Sequence, residues 1–242
     1  VFPHGLSGQV TSTNYLQLQN VETRYRRWSD GEWFLKFGTD SPETLLAYED
    51  FDGTYHQNGL SNLLDYSSHV QDWNPGDPVW QDSLGKGIIG AINYLSSEGQ
   101  NAFSCVVMNI NGDGKNCWPF VAHDSLSRYD VSKLAQWGIV LDHAAGKRMH
   151  WQVKFGEFEN HTLLSNDQWK LMFRELVARF GHLPAITWNL GEEFLFTGFD
   201  QQLPLRSAYL RELDPYGHLL VFHNLTVLGT IFNNLFVREH VD

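Results

Sequence analysis

The chain is short of several things, and each shortage narrows what it can be. Of its 242 residues only Cys105 and Cys117 are cysteines. That excludes a four-thiolate zinc site and allows one disulfide at most. Cys105 sits in an apolar run and reads as a small buried hydrophobe. Basic residues are scarce, 17 against 28 acids, for a net charge of −11. Nucleic acid is therefore not an expected partner, because phosphate binding needs a basic face. No run of about eighteen apolar residues exists, so no membrane span is expected. No Gly-rich phosphate fingerprint follows any apolar run; Gly112-Asp113-Gly114 is too short and too acidic. Among His123, His143, His150, His161, His182, His218 and His223 no pair falls at i, i+4, the spacing that would put two metal ligands on one helix face. The stretch Asn109-x-Asn111-x-Asp113-Gly114 lacks the first acid of a calcium loop and has Phe120 where its closing Glu would stand. Neither metal nor cofactor is expected. The chain opens Val1-Phe2-Pro3 with neither Met nor an apolar leader. The expectation is that any signal peptide has been removed and that the protein is secreted, periplasmic or extracellular.

What remains is globular: 42% hydrophobic and 14% aromatic. Residues 1–31 are polar, with alternating segments at Tyr15–Leu18 and Thr23–Trp28 and a turn at Asp30-Gly31. They read as a short β-rich lead-in. Residues 32–242 form the main domain. Apolar runs closed by turns predict strands over Glu32–Gly38, Phe103–Ile110, Met149–Phe155, Ala185–Trp188 and His218–His223, with one more within Val227–Val237. Between them lie helical patterns: a start at Ser41-Pro42-Glu43, a helix over 81–98, one capped by Asp130 and ending near Gly146, one capped by Ser165 and closed by Gly181, and a shorter one over Pro204–Leu213. Residues 53–80 are an irregular excursion whose Tyr66, Trp73 and Trp80 either line a ligand site or pin the loop. Strands alternating with amphipathic helices imply βαβ units and a parallel sheet. Every predicted strand runs into a loop rich in carboxylates, Asn, His or Trp, whereas the helix-to-strand returns are short and plain. Function at the carboxyl ends of strands suits both a barrel and an open doubly wound sheet.

The stretch Ala185–Glu193 is the most telling. A buried strand breaks at Leu190-Gly191 and presents two adjacent acids. Paired carboxylates are the equipment of glycoside hydrolysis, one of them needing a raised pKa so that it can donate a proton. Glu193 and Glu192 are the catalytic candidates. Asp40, Glu43, Asp113 and Glu157 are strand-end acids that could hold sugar hydroxyls, and Asn189, Trp118 and His123 are neutral or aromatic sugar contacts. The plain alternative is that Glu192 and Glu193 are solvated loop charges or first-turn acids of a helix.

Trp188-Asn189-Leu190-Gly191-Glu192-Glu193 resembles the Trp-x-Leu-Gly-Asn-Glu signature on the fourth strand of clan A glycoside hydrolases. The resemblance implies a retaining (β/α)8 (TIM) barrel with Glu193 as general acid/base. The stretches Thr39–Thr54, Met108–Asn116, Tyr129–Trp137 and Thr187–Glu193 also resemble poorly characterised, mostly bacterial barrel proteins. Those often carry an immunoglobulin-like domain before the barrel and a candidate collagen-binding domain after it. The implied substrate is a polysaccharide or other glycan. Two features depart from the pattern. Glu192 stands where Asn is usual. The nucleophile expected on strand seven is not found, because the chain holds only about five to six βα units of a fold that takes about 250 residues when compact. The barrel is thus expected to be incomplete in this chain. Its open sheet edges would favour self-association or further domains. The same departures leave room for a non-catalytic protein, glycan-binding or assembly-forming, on a glycosidase-like barrel.

Overall fold

The computed structural model of the chain describes residues 16–21, 25–40, 43–55, 63–112, 117–160, 162–192 and 202–223. Two compact units divide it, residues 1–35 and 36–242. The first holds three short antiparallel strands, β1 (Leu18–Val21), β2 (Tyr25–Trp28) and β3 (Trp33–Phe34), paired in that order. The register puts Leu18 opposite Trp28 and Arg26 opposite Phe34. Leu18, Trp28 and Phe34 are buried together on one face, while Tyr25 and Trp33 meet edge to face on the other. Here the predicted strand Glu32–Gly38 is corrected. Its first half belongs to this sheet, where Arg26 and Arg27 lie over the Phe34 and Trp33 rings at 5.7 and 5.5 Å. Such cross-strand pairs fix a hairpin's register. Only its end joins the second unit.

The second unit contains β4 (Gly38–Thr39), β5 (Ala102–Val106), β6 (His150–Lys154), β7 (Ile186–Asn189) and β8 (Leu219–Val221). They form one parallel sheet in the order of the sequence. A doubly wound sheet reverses its strand order at a switch point. This one never does, so the winding is that of a (β/α) barrel. The helices α1 (Lys86–Ser97), α2 (Val131–Gly146), α3 (Asn166–Phe180) and α4 (Leu203–Leu213) alternate with the strands.

The expected caps are in place. Asp130 accepts from the Lys133 amide, and Ser165 forms a full capping box with Gln168. Gly181 closes α3 in a right-handed conformation rather than the left-handed one usual at a helix end. The glycines inside α1 are explained by close approach, since a Cβ on Gly90 would lie 1.8 Å from the His69 carbonyl oxygen. The helix predicted at Ser41-Pro42 does not form in the described residues; Glu43–Leu46 make a turn. Leu45, Leu46, Ala47 and Tyr48 are all buried, and four consecutive buried positions leave no solvent face for a surface helix. In the excursion, Trp80 stacks on Phe51 and donates to the Asp50 carbonyl, and Tyr66 donates to the Leu45 carbonyl. The Val227–Val237 run lies outside the described residues.

The strand register sorts the sheet into two unlike faces. Phe103 with Trp151 and Ile186, and Cys105 with Val153, Trp188 and Leu220, share one face. Just beyond and beside them, Phe155 packs on Phe173 and Trp151 on Phe180, both of α3. This helix-side face carries the core. The other face carries Ser104 with Gln152 and Thr187, and then Val106 with Lys154 and Asn189. Sequence alternation inside a parallel sheet thus separates a packing face from a polar one.

Between β7 and β8, the Asp214 carboxylate accepts from the Trp188 indole at 3.1 Å, from the Tyr216 and His218 amides at 3.0 and 2.9 Å, and from His218 Nδ1 at 3.0 Å. Burial alone would raise its pKa, but these donors, His218 above all, hold it below the usual carboxylate value. The stabilisation is therefore complete above the unfolded value of about 3.9 and fades as pH falls through the lowered one. Asp214→Asn is expected to cost about 2 kcal/mol at pH 7, by loss of charge-assisted hydrogen bonds. Urea titrations at pH 7 and pH 3 should show that deficit shrinking in acid.

Candidate active site

The carboxyl ends of the parallel strands meet around one side chain. Lys154, the last residue of β6, is 2% exposed. Its Nζ lies 2.8 Å from Asp40 Oδ1, 2.8 Å from Glu43 Oε1 and 3.4 Å from Glu192 Oε2. Burial alone would lower its pKa, but the flanking carboxylates outweigh that and hold it above the ordinary lysine value. An ammonium in such a place must be paired, because removing a charge from water without compensation is costly. Three acids from two strand ends provide the pairing: Asp40 and Glu43 follow β4, and Glu192 follows β7.

The β7 end is built with particular care. Asn189 closes the strand and is buried. Its Nδ2 donates to Glu192 Oε1 at 2.6 Å, and its Oδ1 accepts from the Gly191 amide at 3.1 Å. The chain turns at Gly191 with φ +149°, a conformation open to glycine. The Glu192 amide donates to the Gly156 carbonyl beyond β6 at 3.1 Å. Its second oxygen, Oε2, receives His223 Nδ1 from beyond β8 at 2.5 Å, and the His223 amide donates to the Gly191 carbonyl at 3.1 Å. Both oxygens of Glu192 are thus occupied by donors.

Of the residues predicted from sequence, Asp40, Glu43, Asn189 and Glu192 come together here. Glu157 lies beyond the same strand end as Lys154 and accepts from Asn109 Nδ2 at 2.9 Å. Trp118 and His123 form a separate group. Their rings lie 5.9 Å apart, the Tyr55 ring lies 5.1 Å from Trp118, and Tyr55 OH and His123 Nδ1 are 2.9 Å apart. Trp118 is 1% exposed, so its ring packs within the protein and presents no open face. Glu193 and Asp113 lie outside the described residues. Two members of the site were missed by sequence reasoning, Lys154 and His223. A lysine ending a buried strand is a signal that could have found the first. His223 had no local signal, because its partner is 31 residues away. Among the described residues no group of three or more His, Cys, Asp or Glu side chains is placed to hold a metal ion.

This architecture belongs to the TIM-barrel class. No protein-family model matches the chain, and no curated protein sequence matches it. Solved structures do. A glycoside hydrolase of family 5 from Bacteroides vulgatus ATCC 8482 aligns with a TM-score of 0.58 at 18% identity, over 94% of this chain and 42% of that one. A second protein of the same organism, provisionally assigned as a glycoside hydrolase, aligns with a TM-score of 0.58 at 14% identity, over 89% of this chain and 40% of that one. The structural neighbours are clan A barrels of family 5. At these identities the likeness is one of fold, and the chain spans about two-fifths of each neighbour's length. Among the described residues no helix is long and apolar enough to cross a membrane.

Removing the buried cation should be far more damaging than removing an exposed one. Lys154→Met is expected to lower the unfolding free energy by about 3 kcal/mol at pH 7, since three carboxylates lose their shared partner. Arg179→Met breaks the partly exposed helical pair with Glu175 and should cost under about 1 kcal/mol. Chemical denaturation of both variants checks the contrast.

Proposed function

We propose that the protein hydrolyses an O-glycosidic bond of a polysaccharide or other glycan with retention of configuration. The observation that carries this reading is the hydrogen-bonded Asn189–Gly191–Glu192 turn on the fourth parallel strand. It is the strand on which clan A barrels carry their acid/base motif. In this reading Glu193, the next residue, protonates the leaving oxygen and then activates the water that releases the sugar. The nucleophilic carboxylate has no candidate among the described residues. Asp40, Glu43, Glu157 and Asn189 are the proposed contacts to sugar hydroxyls, and Asp113 and His123 are proposed with them; the buried Trp118 is not. Buried polar groups of this kind fix a substrate's orientation, because leaving them unpaired is costly. Neighbouring immunoglobulin-like and collagen-binding domains, and work outside the cytoplasm, belong to the same proposal.

One observation favours a second reading, non-catalytic glycan binding. Glu192, which stands where clan A has Asn, has both oxygens engaged within the chain. The two readings part on a single comparison in the full-length protein. Glu193→Gln should lower kcat/KM on unactivated oligosaccharides by about a thousandfold, the range of a lost general acid. It should leave 2,4-dinitrophenyl glycosides, which need no protonation, within about tenfold, since their leaving group departs as an anion. Equal losses on both substrates count against Glu193 as the proton donor, and no hydrolysis by the wild type counts against hydrolysis.

A further inference from the structure

Glu192 is explained by neither the packing nor the resemblance, and its surroundings assign it a task. Two side chains share its Oε2. Lys154, 2% exposed, reaches it from β6. His223 reaches it from the segment that follows β8, with its side chain 51% exposed. An ordinary surface Glu–His pair has no buried ammonium beside it. Here the carboxylate is also fixed by Asn189 through Oε1, and by its own amide on the Gly156 carbonyl. The imidazole is fixed at Nδ1 by Glu192, and its main chain by the Gly191 carbonyl. With Glu192 as acceptor, Nδ1 donates. The other ring nitrogen, Nε2, is then held on the opposite edge of a half-exposed ring, at the carboxyl ends of the strands. A carboxylate that fixes one imidazole nitrogen so that the other meets substrate is a recurrent device in enzyme sites.

We propose that His223 is a substrate-contacting residue, presenting Nε2 to the glycan, and that Lys154 and Glu192 are positioning residues that orient it. The inference rests on the glycosidase reading. It also accounts for the acid at 192: an amide there would engage an imidazole less strongly than a carboxylate does, and would remove one of the three charges that pair with Lys154.

The two nitrogens can be tested separately, because each is mimicked by a different amide. In His223→Asn the side-chain amide can still donate to Glu192 but nothing replaces Nε2. In His223→Gln the amide reaches the Nε2 position and the tie to Glu192 is lost. On the oligosaccharide that the wild-type protein cleaves, His223→Asn should lower kcat/KM by about tenfold or more, the scale of one lost substrate hydrogen bond. Its melting temperature should stay within about 2 °C of the wild type, as for a half-exposed side chain. His223→Gln should retain more of the activity. Glu192→Gln should lower kcat/KM at least as far, and combined with His223→Asn it should add little further, since residues acting as a unit are non-additive. A kinetically silent His223→Asn in an active enzyme overturns the proposal and leaves the glycosidase reading intact. So do fully additive losses. A wild-type protein that hydrolyses no glycoside overturns both.

Discussion

The ammonium of Lys154 is shared among Asp40, Glu43 and Glu192, and the strand-end geometry depends on that sharing. One acid would have sufficed to offset one buried charge. Three converge instead, from loops more than a hundred residues apart in the chain. The turn after β7 cannot move without disturbing the loop after β4. The excess of acid over base also gives the mouth a negative character in keeping with the net charge of the chain.

A second buried lysine shows what the first would be without its acids. Lys133 on α2 is also 2% exposed, but its Nζ donates to the carbonyls of Gly53, Trp118 and Phe120. Burial brings it down to about 8, with Asp130 the foremost of the opposing charges. Dipoles solvate this cation; charges solvate the other. Lys133 fastens the loops after β4 and β5 to the outer helix layer, while Lys154 fastens strand ends to one another. Both lysines therefore organise loops, and only one does so at the proposed chemical site.

Much of the fold was legible in the sequence. The capping side chains of Asp130 and Ser165 announce their helices, and the apolar runs announce four of the five parallel strands. Where the reading failed, competing physics is visible. Trp33 and Phe34 follow the arginines of β2 rather than the main sheet. Ser41-Pro42-Glu43 carries the start signal of a helix, but the buried run that follows has no polar face. The site was legible only in part. Asn189 and Glu192 lie inside a local motif, and Asp40 and Glu43 follow a strand. Lys154 and His223 acquire meaning only through partners brought close by the winding, which no local spacing encodes. A clan A barrel was suggested by six consecutive residues, and the parallel strands are wound in the order of a barrel.

The unlike faces of the parallel sheet divide labour between stability and innovation. The helix-side face, with Phe103, Trp151, Val153 and Trp188, is crowded with aromatic and branched side chains. A change there disturbs the packing of several elements at once. The polar face, with Ser104, Gln152 and Thr187, contributes little to that core. Those three, unlike Lys154 at the strand end beyond them, can be exchanged with less damage to the scaffold. A descendant of this chain could therefore acquire a new specificity by substitution on one face while inheriting its rigidity from the other.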